Sequence, residues 1–140
     1  MFLFKVYVAN SLVHGKGLYA GEFIPKDSKI WEYDNKTVEI YDEREWNNLL
    51  DKSAKERKKE LLKFAYKENN YWILHNDIMI YTNHSDNPNV STNYKEMLEK
   101  GWNIKDAYTF AVKDIEKGEE LTENYKEYFD EEIWNLHSML

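Results

Sequence analysis

Cysteine is missing from all 140 residues, which excludes disulfides, cysteine-based zinc sites and thiol nucleophiles and suits an intracellular setting. Proline occurs only twice and glycine five times, and no repeat or linker interrupts the chain, so one domain over residues 1–140 is expected. No run approaches the ~20 apolar residues that a bilayer-spanning helix needs, so no membrane association is expected. The apolar opening MFLFKVYVANSLV is broken by Lys5 and lacks a basic leader and a small-residue cleavage site, which argues against a signal peptide. Positive charge is in deficit: 19 Lys and Arg face 26 Asp and Glu, a net −7. That balance disfavours direct nucleic-acid binding and suits a cationic partner. Hydrophobic residues make up 42% of the chain and aromatics 16%, enough for a packed core despite the charge.

Phe2, Phe4, Val6 and Val8 alternate with polar or aromatic neighbours and predict a strand over about 2–9. His14-Gly15-Lys16-Gly17-Leu18-Tyr19-Ala20 follows, with two glycines within three residues, where the backbone can turn sharply or approach a ligand closely. Short strands are expected at Lys29–Tyr33 and Thr37–Tyr41. Asp42 with Glu45 and Ser53 with Glu56 have capping-box spacing, so helices are expected at about 43–51 and 54–67. The basic residues between 52 and 59 read as a solvated helix face. Tyr71–Leu74 predicts a strand, Ile78–Tyr81 a strand or helical turn, and Val90–Asn93 a further strand. Tyr94–Lys100 reads as a short helix or a charged excursion stopped at Gly101, and Asp106–Lys113 alternates as a strand. Tyr128–Leu140 reads as an acidic amphipathic helix.

Asn83-His84-Ser85-Asp86-Asn87-Pro88-Asn89 is too polar for a core strand. Asn and Asp side chains bond nearby backbone and Pro88 restricts Asn87, so the stretch predicts a rigid irregular loop able to hold a site. Glu119 and Glu120 are read as part of a structural turn rather than a catalytic acid pair.

Together, HGKGLYA, NHSDNPN and DIEKGEELTENY resemble, in order and spacing, the signature blocks of the SET domain family of S-adenosylmethionine-dependent protein-lysine methyltransferases. The YKEYFD continuation is similar to its compact, cysteine-free members from bacteria and viruses. The resemblance implies a mainly β, β-clip-like fold of small curved sheets, with a knot-like arrangement in which the C-terminal segment carrying GEELTENY passes through a loop next to NHSDNPN. It also implies a helical insert at about 42–68 lining the substrate groove and a closing segment at about 126–140 that ends in a helix. The implied activity is methyl transfer from S-adenosylmethionine to a lysine ε-amine of a protein, with S-adenosylhomocysteine as product and no metal. By the same resemblance, Lys16, Gly17, Leu18, Tyr81, Asn83, His84 and Trp134 would contact the cofactor. Tyr125 would be the catalytic tyrosine that orients the amine. Two departures stand out: Ile80 where relatives carry Arg, and Glu123 where many carry Phe or Tyr. They motivate the alternative of a non-catalytic SET-like binding module.

Overall fold

The computed structural model describes residues 1–68, 70–101 and 103–127. In chain order its elements are β1 (Val6–Asn10), β2 (Lys16–Ala20), β3 (Lys29–Glu32), β4 (Val38–Tyr41), α1 (Glu43–Lys52), α2 (Lys55–Phe64), β5 (Tyr66–Glu68) and β6 (Tyr71–His75). They continue as β7 (Asn83–His84), β8 (Val90–Thr92), α3 (Tyr94–Glu99), β9 (Tyr108–Ala111) and β10 (Glu120–Glu123), with 3-10 turns at Ile78–Tyr81, Ile104–Asp106 and Tyr125–Glu127. These elements form two compact units, one built from residues 1–34 and 81–125 and the other on residues 35–80. The expected C-terminal helix at 128–140 lies outside the described residues.

The first unit holds two small sheets, ordered β1-β2-β10-β7 and β3-β9-β8. β1 and β2 form an antiparallel hairpin from Val6↔Ala20 to Asn10↔Lys16, so the glycine-containing block is half turn and half strand. The reversal is closed by Ser11 N–H bonding the Gly15 carbonyl at 2.8 Å. Gly15 sits there at φ 49°, a left-handed conformation that favours glycine. Apolar residues from distant segments meet inside: Leu18, Ile24, Ile30, Val90, Ile115 and Leu121 are all nearly inaccessible, with Phe2, Phe4 and Tyr81 packed against them. Each strand is short, and burial of this shared cluster is what keeps the two sheets together.

The second unit pairs the sheet β4-β6-β5 with α1 and α2. Asp42 caps α1 as its spacing predicts, with its side chain accepting from Glu45 N–H at 2.8 Å and Glu45 returning a bond to Asp42 N–H at 3.2 Å. The second expected capping box does not form. Ser53 instead donates its hydroxyl to the Leu49 carbonyl at 2.6 Å, and Ala54 takes the N-cap position of α2 without a side-chain bond. The helical pattern also stops earlier than expected, because Tyr66–Glu68 pairs antiparallel with Tyr71–His75 as a hairpin. Trp46 anchors this unit's core: it is 2% exposed and stacks on Trp72 with ring centroids 4.8 Å apart.

Back in the first unit, β10 is an interior strand, antiparallel to β2 on one side and parallel to β7 on the other. Two-residue β7 is too short to hold such a strand by its ladder alone. Buried Asn89 supplements it by giving an amide N–H to the Glu120 carbonyl at 2.8 Å and accepting Thr122 N–H at 2.9 Å on its side-chain oxygen. Its backbone N–H adds a bond to the Thr122 carbonyl at 3.2 Å. The loop that reads as rigid from composition is laced to β10 by these bonds.

Asn89→Ala leaves the Glu120 carbonyl and the Thr122 N–H without their side-chain partners. We expect it to lower unfolding free energy by about 2–6 kcal/mol, from two interior groups at ~1–3 kcal/mol each. Urea denaturation with an unchanged m-value checks this, and a loss below about 0.5 kcal/mol contradicts it.

Candidate active site

Within the first unit, the peptide linking Thr82 to Asn83 connects the glycine-containing block to the end of β10. On one side of it, the Asn83 side-chain N–H₂ donates to the carbonyls of His14 and Lys16 at 3.1 Å each and to Glu120 Oε2 at 2.9 Å. All three neighbours are acceptors, which fixes the amide's orientation. On the other side, the Thr82 carbonyl accepts the Tyr125 hydroxyl in a short hydrogen bond. Thr82 and Asn83 are both buried, so each of these bonds is sheltered from competing water.

His84 completes the link. Its Nδ1 accepts the Tyr125 backbone N–H at 3.1 Å, so its proton lies on Nε2, which faces Asp86 Oδ1 at 3.0 Å. The imidazole and phenol rings lie 5.4 Å apart, tilted by 55°. Burial, followed by the negative charges of Glu123 and Glu120, pushes the Tyr125 phenol well above its usual range. The hydroxyl therefore stays protonated at physiological pH.

Glu120 emerges as a residue whose side-chain role the sequence does not reveal. Ser11 Oγ donates to its two carboxylate oxygens at 2.7 and 2.9 Å, Asn83 to Oε2, and the Tyr19 hydroxyl lies 3.4 Å from Oε1. Charge-assisted bonds of this kind contribute about 1.5–3 kcal/mol each when sheltered. Ser11 in turn accepts Val13 N–H at 2.9 Å. Gly17 lies directly against this carboxylate: a Cβ there would stand 2.5 Å from Glu120 Oε2 and 3.1 Å from Ser11 Cβ. The need for glycine at 17 is thus met by a contact inside the protein. Thr82 is the other residue not singled out by sequence, because it acts through its carbonyl, which no side-chain pattern reports.

The residues expected from the sequence fall into three groups. Lys16, Gly17, Asn83, His84 and Tyr125 are connected by the bonds above. Leu18 and Tyr81 instead join the core: Leu18 is 1% exposed and Tyr81 packs on the same cluster, so Leu18 has only its backbone to offer a ligand. Trp134 lies outside the described residues. Glu123 pairs with His84 in the β10–β7 ladder.

Small sheets around a parallel β7–β10 pair, with asparagine, histidine and tyrosine joined at its ends, define a SET architecture. The family model for the SET domain matches residues 15–126, and the chain belongs to that family. A curated relative, the histone-lysine N-methyltransferase trr of Drosophila melanogaster, is 31% identical over 124 residues; the match spans 87% of this chain and 5% of the length of that relative. Among solved structures, the Chaetomium thermophilum Polycomb Repressive Complex 2 bound to GSK126 matches with TM-score 0.65 and 21% identity, over 96% of this chain and 17% of that one. The ctPRC2 structure in an autoinhibited conformation bound to S-adenosylmethionine gives TM-score 0.64 and 22% identity, over 97% and 17%. These structural likenesses bear out the fold expected from the signature blocks.

The raised Tyr125 phenol sets a pH dependence. Its proton is held above pH 10 in the folded state and lost near 10 in the unfolded one, so its stabilising effect is complete below about 10 and fades as pH rises further. Ultraviolet titration of wild type minus Tyr125→Phe should show no tyrosinate absorbance appearing between pH 9 and 11. A difference signal with a midpoint near 10 contradicts this environment.

Proposed function

We propose that this chain is a protein-lysine N-methyltransferase that uses S-adenosylmethionine, with catalysis centred on Tyr125. The observation that carries the reading is the connection of a protonated, interior phenol to the His14–Leu18 block through the Thr82–Asn83 peptide. Membership of the SET family supports it.

The residues present suit a zwitterionic cofactor that carries a sulfonium. Lys16 is exposed and offers an ammonium to a carboxylate, and His14 and Gly15 are exposed beside it. The carboxylates of Glu120 and Glu123 both act on Tyr125, and a negative local field favours cations next to the phenol. His84, Gly17 and the Leu18 backbone would contribute through positioning and main-chain contacts. When bound, S-adenosylmethionine would supply a methyl group on positive sulfur: in-line attack of a neutral lysine amine on the methyl carbon would break the C–S bond, giving S-adenosylhomocysteine and a methylated lysine ammonium whose extra proton is lost to solvent.

For this chain's residues, the task is to hold the amine neutral and aligned. Neutralising a lysine of pKa about 10.4 at pH 7 costs roughly 4.6 kcal/mol, and desolvation beside a cation lowers that cost. Alignment at attack distance supplies a further ~7–11 kcal/mol relative to free reactants. The Tyr125 O–H donates its hydrogen bond to the Thr82 carbonyl, so toward the amine its oxygen acts as an acceptor that orients one N–H and directs the lone pair away from it. His84 fixes the Tyr125 backbone and hence the height of that oxygen. A basic protein segment is the substrate class that matches the chain's acidity, and the histone-lysine activity named for the Drosophila relative agrees with it. A non-catalytic binding module is the second reading, motivated by Ile80 and by Glu123, whose carboxylate would also favour a protonated lysine.

Incubation with methyl-labelled S-adenosylmethionine and histone or mixed lysate proteins should label lysine, and Tyr125→Phe should cut turnover by about 10²-fold or more. S-adenosylhomocysteine affinity, read by calorimetry, should change less than about threefold in that variant. Binding without transfer to any substrate favours the module, whereas full activity in Tyr125→Phe removes the phenol from its role.

A further inference from the structure

We propose that Glu120 is a positioning residue for the cofactor-binding block: with Ser11 it forms a lock beneath Gly17 that sets the path of residues 11–17, and the glycine at 17 exists to admit that lock. The inference rests on the cofactor reading above for its functional consequence, but the lock itself stands on geometry.

Each part of the lock depends on the others. The Glu120 carboxylate lies in the one direction where a side chain at 17 would project, with Oε2 2.5 Å and Cδ 2.8 Å from the site of a Cβ. Such separations are far inside contact distance, so any side chain at 17 must displace the carboxylate. The carboxylate is not a mobile end that can swing aside without loss, because Ser11 Oγ holds both of its oxygens and Asn83 holds Oε2. Ser11 is simultaneously the hinge of the turn: its N–H bonds the Gly15 carbonyl at 2.8 Å and its hydroxyl oxygen accepts Val13 N–H at 2.9 Å. Asn83 ties the far side of the same turn through the His14 and Lys16 carbonyls.

The result is a turn held at three backbone points by two side chains that share one anion, and closed by the main-chain bond from Ser11 to Gly15. The β10–β2 ladder pairs Glu120 with Tyr19 and Leu121 with Leu18, so Gly17 and Lys16 lie beyond its paired residues. The Glu120 side chain reaches back past the end of that ladder and replaces the missing pairing. A carboxylate suits the role because it accepts from Ser11 and Asn83 at once; an amide presents an N–H₂ where one of those donors needs an acceptor. Gly15, by contrast, meets nothing within 4 Å and is there for its positive φ. The two glycines of the block therefore answer different demands.

A double-mutant cycle separates this account from the one in which Gly17 is small to let a ligand approach. Gly17→Ala, Glu120→Ala and the double variant are titrated with S-adenosylhomocysteine, with circular dichroism confirming folded protein. Each single variant should weaken binding by about tenfold, and the double variant should be no weaker than Glu120→Ala within about twofold, because removing the carboxylate makes room for the new methyl. Losses that multiply, to about 100-fold in the double variant, overturn the proposal. Ser11→Ala, which leaves Gly17 its space, should reproduce most of the Glu120→Ala effect; unchanged binding there also counts against it. Amide exchange at Val13 in the ligand-free protein provides an independent reading: protection should fall in each single variant and fall no further in the double one. If wild type does not bind S-adenosylhomocysteine, the cofactor reading fails, and the lock is then upheld or overturned by whether the exchange effects coincide or add.

Discussion

The hydrogen bonds made by Asn83 are the constraint on which the rest of the first unit's site depends. Its amide spans His14, Lys16 and Glu120. The peptide that carries it presents the Thr82 carbonyl to Tyr125. A single buried residue therefore fixes both the turn of residues 14–17 and the acceptor that holds the Tyr125 hydroxyl. A shift of that residue would move both, which is a physical reason for placing them on one short strand beside β10 and not on separate loops. The bonds are made in partial or full burial, where an unsatisfied partner costs more than a made bond gains, so the network is formed as a whole or disrupted as a whole.

This division of labour changes the meaning of individual residues. Histidine in such a site invites an acid-base role, yet His84 has one ring nitrogen on the Tyr125 backbone and the other facing Asp86. Tyrosine invites the role of base, yet burial and two carboxylates keep it protonated. In the proposed reaction it acts as an oriented dipole. The carboxylates that raise the phenol also bias the neighbourhood toward positive charge, which both the proposed cofactor and a lysine substrate carry.

Features encoded by local spacing were legible in the sequence. The alternation over Phe2–Val8 marks the first hairpin region, although pairing begins only at Val6 and Phe2 forms a separate bridge to Trp31. Asp42 and Glu45 announce the start of α1 because both halves of the capping box lie within one helical turn. Ser53 and Glu56 have the same spacing but fail, since the Leu49 carbonyl is within reach of the serine first. β5 was hidden because Tyr66–Glu68 continues a helical period and its strand identity comes from a partner across the Asn70 turn. The signature blocks and their order along the chain were enough to fix the family. The Ser11–Glu120–Gly17 contact was illegible because its partners are far apart in sequence and none is unusual for its local element.

The account's central claim is that residues 14–17, held by Asn83, and the Tyr125 hydroxyl, held by Thr82, together form one methyl-transfer site. A crystal structure of the complex with S-adenosylhomocysteine tests this most directly. The account predicts the amino-acid end of the ligand on the backbone of residues 14–17 beside Lys16, and its sulfur facing the Tyr125 hydroxyl. A ligand bound away from that block, or sulfur pointing away from Tyr125, would contradict it.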